Sequence, residues 1–247
     1  MEEIQLSPDA LKVAQNFRCL LIGNSESGKS TWLKRLIQEK QLIFQNPGYT
    51  KFIYCSPNLG ESASSFDLEY QKSLEAAAQP TEIVFLNHII TKDELLEAAE
   101  FTSGRLLLII DDFSQEVCST SLVYDLFTRL SSHRQIDTCV SVHQGSASRA
   151  PGKWFSLILQ NCNFLVLFRN LANRAAIGEI SKRMFPYCKN FLARCLAEAT
   201  NICGPYSYVA VDASLKNPLN NNYGVRTNIF GENNLPVLLF KTPNIYQ

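Results

Sequence analysis

The chain has no surplus of charge: 23 Lys and Arg balance 23 Asp and Glu across 247 residues. That balance argues against an overall basic coat for nucleic acid, while leaving room for a local basic stripe. No apolar run approaches the roughly 18 residues that a membrane span needs. The start, Met1-Glu2-Glu3, lacks the basic opening of a secretory signal, so the expectation is an intracellular protein that is not secreted. Eight cysteines (Cys19, Cys55, Cys118, Cys139, Cys162, Cys188, Cys195 and Cys203) include no C-x-x-C pair and no Cys/His zinc spacing. They read as reduced, buried small hydrophobes, with a metal role for Cys188, Cys195 and Cys203 as the alternative. Repeats are absent, and the one biased segment is Asn220-Asn221-Asn222, a loop signal. With 46% hydrophobic residues, a chain this long buries about 70–75% of its unfolded surface and needs no disulfide.

What is present is concentrated near the N-terminus. Gly23-Asn24-Ser25-Glu26-Ser27-Gly28-Lys29-Ser30 fits the phosphate-loop pattern G-x-x-x-x-G-K-[ST] at every position. Cys19–Ile22 before it reads as a buried strand, and Thr31–Ile37 after it carries apolar residues at helical spacing. Strand, loop and helix let backbone N–H groups and a helix N-terminus hold phosphate oxygens. Gly23 and Gly28 are expected to adopt backbone angles that a side chain would penalise. Lys29 is expected to reach the β- and γ-phosphates of a nucleoside triphosphate, the Ser30 hydroxyl to ligate Mg²⁺, and Thr31 to close the phosphate-binding run.

A second run, Arg105–Ile110, is an apolar strand ending in Asp111-Asp112. Such a strand is expected beside the phosphate-loop strand, with Asp111 facing the Mg²⁺ through water, because Mg²⁺ gives up its hydration reluctantly. Asp112 is the candidate to polarise an attacking water, and Glu116 is the fallback base. Gln144 closes the strand Thr138–Val142 and is the candidate contact for the γ-phosphate or the water; the alternative is a strand-end surface residue. His133 and His143 read first as surface or hydrogen-bonded structural residues, with phosphate or DNA contact as the alternative. For an arginine supplied by a neighbouring subunit the candidates are Arg134, Arg149, Arg169, Arg174 and Arg226. Lys182, Arg183, Lys189 and Arg194 read as a solvated helix face or as DNA contacts.

Around these motifs the pattern predicts strands at 52–55, 82–86, 164–168, 208–211 and 238–240. Helices are expected near Lys92–Phe101, Ser121–Leu130 and Arg174–Met184. Thr91 and Glu94 are expected to form a capping box, and Ser7 to cap a lead-in over residues 1–16. Strands alternating with helices imply an α/β protein with a mainly parallel sheet covered on both faces, one domain over 17–247.

Beyond the two nucleotide motifs, several stretches resemble the DNA-packaging ATPases of the FtsK/HerA superfamily, above all the group in Polinton (Maverick) elements and adintoviruses. Phe52–Ser56 is similar to their second strand, and Leu108–Phe113 to their acidic strand with its double Asp. Leu126-Phe127-Thr128 with Ser132-His133-Arg134, and Ser141–Gln144, fall where they carry an "LFT…SHHR" region and a strand ending in Gln. Asn161–Asn170, Tyr206–Asp212 and Val225–Phe230 resemble their last strands. The resemblance implies a RecA-like P-loop NTPase fold and ATP hydrolysis with Mg²⁺. It further implies a homo-oligomeric ring that moves double-stranded DNA into a capsid, with capsid proteins as partners and the host nucleus, cytoplasm or assembling virion as location. The chain departs from the pattern at Ser132, Gly145, Ser156 and Asn170-Leu171-Ala172-Asn173.

Other classes fit less well. A GTPase switch lacks an N-K-x-D-type motif, and a small-molecule kinase lacks an arginine-rich lid. A catalytically silent nucleotide-binding module that contacts DNA or capsid is the alternative to a motor.

Overall fold

The computed structural model describes residues 12–13, 16–44, 48–58, 81–131, 134–143, 153–169, 174–213, 224–231 and 237–241. Among these residues nine strands form one sheet in the order β3-β2-β4-β5-β1-β6-β7-β8-β9. In chain order these are β1 (Arg18–Gly23), β2 (Tyr49–Cys55), β3 (Glu82–Leu86), β4 (Arg105–Ile110), β5 (Ile136–His143), β6 (Phe164–Phe168), β7 (Tyr208–Asp212), β8 (Gly224–Thr227) and β9 (Leu238–Phe240). The first six are mutually parallel, and β7 to β9 add antiparallel at one edge.

The apolar strands follow from a sheet buried on both faces. Along β1, Cys19 and Leu21 face one layer while Leu20 and Ile22 face the other, all of them buried. One layer is α1 (Lys29–Gln38) and α2 (Lys40–Ile43), whose Trp32, Leu33, Leu36, Ile37 and Ile43 pack on the sheet. The opposite layer holds α3 (Lys92–Glu100), α4 (Ser114–Ser119), α5 (Ser121–Asp125), α6 (Lys153–Asn161), α7 (Arg174–Met184) and α8 (Phe191–Cys203). These contribute Leu95, Val117, Val123, Ile158, Ile177 and Leu192 to that core. The chain is therefore an α/β P-loop fold of the RecA-like type, with helices on both faces.

Local signals carried through where the chemistry is specific. Thr91 Oγ1 accepts from the Glu94 N–H at 3.4 Å, and Glu94 Oε2 accepts from the Thr91 N–H at 2.9 Å, a complete capping box on α3. These bonds hold the Glu94 carboxyl below the usual carboxylate range. The helix expected over 121–130 starts as α5 but continues as a π-helical turn, Leu126–Leu130. The cap expected at Ser7 lies outside the described residues. Burial pushes the Cys55 thiol up to about 11 and that of Cys195 to about 12, in keeping with inert core cysteines. Among the described residues no helix is long and apolar enough to cross a membrane.

One expectation is corrected. The acidic strand β4 does not lie beside β1, because β5 runs between them, pairing with β1 through Gly23↔His143 and with β4 through Ile110↔Val140. Hydrophobic pattern marks a strand as buried, but it does not encode which buried strand is its neighbour. The inserted strand brings its own polar residues to the C-terminal edge of the sheet, between the phosphate loop and the acids.

Candidate functional site

The C-terminal ends of β1, β4, β5 and β6 open onto a cleft of about 550 Å³, within the range typical of small-molecule sites. Ser25 to Trp32, Arg35, Asp111, Asp112, His143, Phe168, Tyr206 and Tyr208 line it. After β2 to β5 are laid on one side of β1, the chain crosses to the other side for β6. The cleft thus sits where the strand order reverses, the usual ligand crevice of open α/β sheets.

The phosphate loop owes its shape to two glycines, for different reasons. Gly28 sits at φ 96° as the N-cap of α1, a left-handed backbone that side chains rarely adopt. Gly23 needs space rather than an unusual angle: a Cβ there would stand 2.8 Å from Phe168 Cβ on β6 and 2.5 Å from Ser27 Oγ. The sequence reading that both glycines serve backbone angles therefore holds for Gly28 alone. Glu26 supplies a second left-handed residue at φ 59°. The first helical hydrogen bond of α1 runs from the Trp32 N–H to Gly28 O, 2.9 Å, so the N–H groups of Lys29, Ser30 and Thr31 have no partner within the helix. With no side-chain cap and no acidic residue in the first turn, the positive end of α1 is open to an anion.

Lys29 is buried and donates to the loop's own carbonyls, Gly23 O at 3.1 Å and Asn24 O at 2.6 Å. Burial lowers its pKa, and the nearby Asp111 and Asp112 act in the opposite direction. The ammonium is thus a desolvated cation held inside the phosphate loop, close to both acids.

Asp111 is buried directly after β4. Its Oδ2 accepts from the Tyr54 hydroxyl at 2.7 Å, and its Oδ1 accepts from the Ser141 hydroxyl. Burial beside this carboxylate pushes the Tyr54 phenol far above its ordinary range. Asp112 turns into the left-handed region at φ 64°, which Asp tolerates better than most residues. Its N–H donates to Ser141 Oγ at 3.2 Å, its Oδ2 accepts from Asn58 Nδ2 at 3.2 Å, and its Oδ1 pairs with His143 Nε2. The His143 N–H in turn donates to Ser114 Oγ at 2.8 Å. One hydroxyl, Ser141 on β5, therefore fixes both acids: it donates to the first and accepts from the backbone of the second.

The donor set fits a hydrated Mg²⁺. Both Asp111 oxygens already accept a hydroxyl, which suits contact through water better than direct ligation, and Ser30 lines the same cleft. Among the described residues no group of three or more His, Cys, Asp or Glu side chains is placed to hold a metal by itself. A metal here would need phosphate oxygens to complete its shell, as Mg²⁺ commonly does.

The structure brings Lys29, Ser30, Thr31, Asp111 and Asp112 together as expected from the sequence. Gln144 and His133 lie outside the described residues, and His143 is the strand-end polar residue found in the cleft. Glu116, the fallback base, is exposed on α4 and lines a separate groove with Asn87, His88 and Phe113. Of the candidate arginines, Arg226 is 3% exposed with its guanidinium 5.6 Å from the Phe164 ring, which removes it as a residue that reaches a neighbour. Arg134 precedes β5, at the end of the sheet opposite the cleft, whereas Arg169 follows β6 on the cleft side. Arg149 and the side chain of Arg174 lie outside the described residues.

Sequence reading missed Tyr54, Ser141 and Tyr206. The available signal for Ser141 was a hydroxyl inside the apolar run Thr138–Val142, where only a specific partner compensates its burial. Replacing Ser141 with Ala is expected to leave Asp111 short of a donor and cost about 1–3 kcal/mol, read as a lowered Tm. The same variant is expected to hydrolyse nucleotide more slowly, because both acids lose their common anchor.

No protein-family model and no curated protein matches the chain. Among solved structures it is similar to the cytoplasmic domain of the Thermomonospora curvata type VII secretion ATPase EccC. That overlap has a TM-score of 0.33 and 17% identity, and covers 64% of this chain but 19% of the other. It is also similar to a solved ATPase, with a TM-score of 0.40 and 16% identity over 67% of this chain and 69% of that one. A third is EssC (ATPases 2 and 3) from Geobacillus thermodenitrificans, at 0.40 and 12% over 64% and 30%. The superpositions are loose, so the cleft's own chemistry carries the functional assignment.

Proposed function

We propose that the chain is a Mg²⁺-dependent ATPase of the FtsK/HerA type that works as a homo-oligomeric ring and moves double-stranded DNA into a viral capsid. The observation that carries the hydrolytic part is the shared anchoring of Asp111 and Asp112 by Ser141, facing Lys29 across the phosphate loop. A protein that only bound nucleotide would need the loop, but not a second, partly solvent-accessible carboxylate held beside the first. Asp112 is that carboxylate, with its side chain 37% exposed.

In this reading the N–H groups of Lys29, Ser30 and Thr31 and the Lys29 ammonium bind the triphosphate. Lys29 leaves the Gly23 and Asn24 carbonyls to do so, exchanging two neutral acceptors for charged ones, which make stronger hydrogen bonds. Ser30 and, through water, Asp111 would hold Mg²⁺, whose contribution is to neutralise charge on the phosphates. Asp112 accepts a proton from, or orients, the attacking water, while His143 and Asn58 fix its two oxygens. Phosphoryl transfer needs little beyond this positioning and charge stabilisation.

The ring, the DNA and the capsid partners rest on the sequence resemblance, as does a location in nucleus, cytoplasm or virion, while the single-domain extent over 17–247 rests on the alternation of strands and helices. DNA contacts by such a motor are to phosphates and hence salt-sensitive. A DNA-stimulated hydrolysis assay tests the reading. Mg²⁺ and ATP alone should give turnover that Lys29→Ala abolishes, and double-stranded DNA should raise it. Nucleotide binding without turnover under any of these conditions supports the catalytically silent module instead.

A further inference from the structure

The cleft has two chemically different ends. Lys29, Asp111, Asp112 and His143 make one end charged, while the other is walled by Trp32, Phe168 and Tyr208, with Tyr206 at its mouth. The three wall residues are buried and already packed on one another. Tyr208 meets Trp32 at 6.3 Å and Phe168 at 5.7 Å between ring centroids, and Phe230 backs Trp32 at 5.5 Å. The Tyr208 hydroxyl accepts from the Ile229 N–H at 2.8 Å, which locks the wall from behind. Tyr206 differs from all of these. It is 72% exposed, on a tight turn that begins at Gly204 (φ 92°) and is closed by the Ser207 N–H donating to Gly204 O at 3.2 Å. A hydrogen-bonded turn therefore presents a large aromatic side chain at the cleft mouth.

Building on the nucleotide reading above, we propose that Tyr206 is the stacking platform for the nucleobase, and that this subsite reads the flat face of the base rather than its hydrogen-bonding edge. A triphosphate anchored at Lys29 and Ser30 leaves its nucleoside two directions. Among the described residues, the end at Asp111, Asp112 and His143 is lined by charged and polar groups and offers an uncharged nucleobase no apolar wall. The other direction runs along α1 past Thr31 toward Trp32, where the aromatic wall begins. Among the described residues the charged side chain there, Arg35, is engaged elsewhere: its Nε donates to Glu39 Oε1 at 2.8 Å and an NH₂ group to Phe230 O at 2.9 Å, with the guanidinium 4.7 Å from the Phe230 ring. Stacking on tyrosine accepts any base, because every base has a π face. The subsite therefore takes nucleoside triphosphates with little discrimination between bases, adenine and guanine included.

Equilibrium binding of Mg²⁺-ATP, Mg²⁺-GTP and Mg²⁺-tripolyphosphate to the full chain tests this. Tyr206→Ala is expected to weaken ATP and GTP alike by about 5- to 150-fold and to leave tripolyphosphate unchanged, with Tyr206→Phe restoring both nucleotides. Because Tyr206 is exposed, the alanine variant should fold normally. Unchanged ATP affinity in Tyr206→Ala overturns the platform while leaving the phosphate site standing. An equal loss for tripolyphosphate assigns Tyr206 to loop structure and also overturns it. A wild-type chain that binds neither ATP nor tripolyphosphate removes the nucleotide reading and the platform together. A large preference for one purine would overturn face reading even if stacking held.

Discussion

Lys29→Met is expected to abolish useful nucleotide binding while leaving the chain folded. The ammonium sits inside the phosphate loop, and removing one partner of a buried charge pair costs about 2–5 kcal/mol, roughly 30-fold to several thousand-fold in affinity. The apo protein should change little, because two effects oppose each other. Methionine relieves the burial that lowers the Lys29 pKa, whereas Gly23 O and Asn24 O lose donors worth about 1 kcal/mol each. Thermal unfolding with and without ATP separates the two cases. Wild type should gain stability with ligand, about 2.7 kcal/mol at a hundredfold excess over its Kd, and at the same concentration the variant should gain less than about 1 kcal/mol. A normal ligand-induced shift in Lys29→Met would remove the phosphate-loop assignment.

Asp112→Asn should have the complementary phenotype, lost turnover with retained binding. A positioned general base is worth about 10²- to 10⁴-fold in rate, and an amide cannot take the proton. Structure should survive, since Asn also tolerates the φ of 64° at this position and its amide oxygen can still pair with His143. Single-turnover hydrolysis beside a nucleotide-binding titration checks both halves. A kcat within a few-fold of wild type would exclude Asp112 as the base. Glu116 would not then be the natural successor, because it lines a different groove.

How far the sequence reveals this site depends on whether a function was written in spacing or in space. The phosphate loop is local, so eight consecutive residues define it, and the structure places them as the motif requires. The double Asp is equally local. Ser141 and Tyr54 are not: they meet Asp111 only because β5 and β2 flank β4, and sheet order is set by crossovers that no local pattern records. The same ignorance of order placed β4 next to β1. Tyr206 escaped for a related reason, since an exposed tyrosine carries no signal until the turn at Gly204 sets it at the cleft. Gly23 needs to lack a side chain for a cause no local pattern carries, because the demand comes from Phe168, 145 positions along the chain. Capping at Thr91 was legible in full, since both halves of that hydrogen-bond pair lie within one helical turn.

The most direct test of the central claim is the rate of ATP hydrolysis by the full chain with Mg²⁺, measured with and without double-stranded DNA, with Lys29→Ala alongside. The account predicts turnover that DNA stimulates, that rising salt suppresses in its DNA-dependent part, and that the variant lacks. Turnover equal to that of Lys29→Ala under every condition would contradict it.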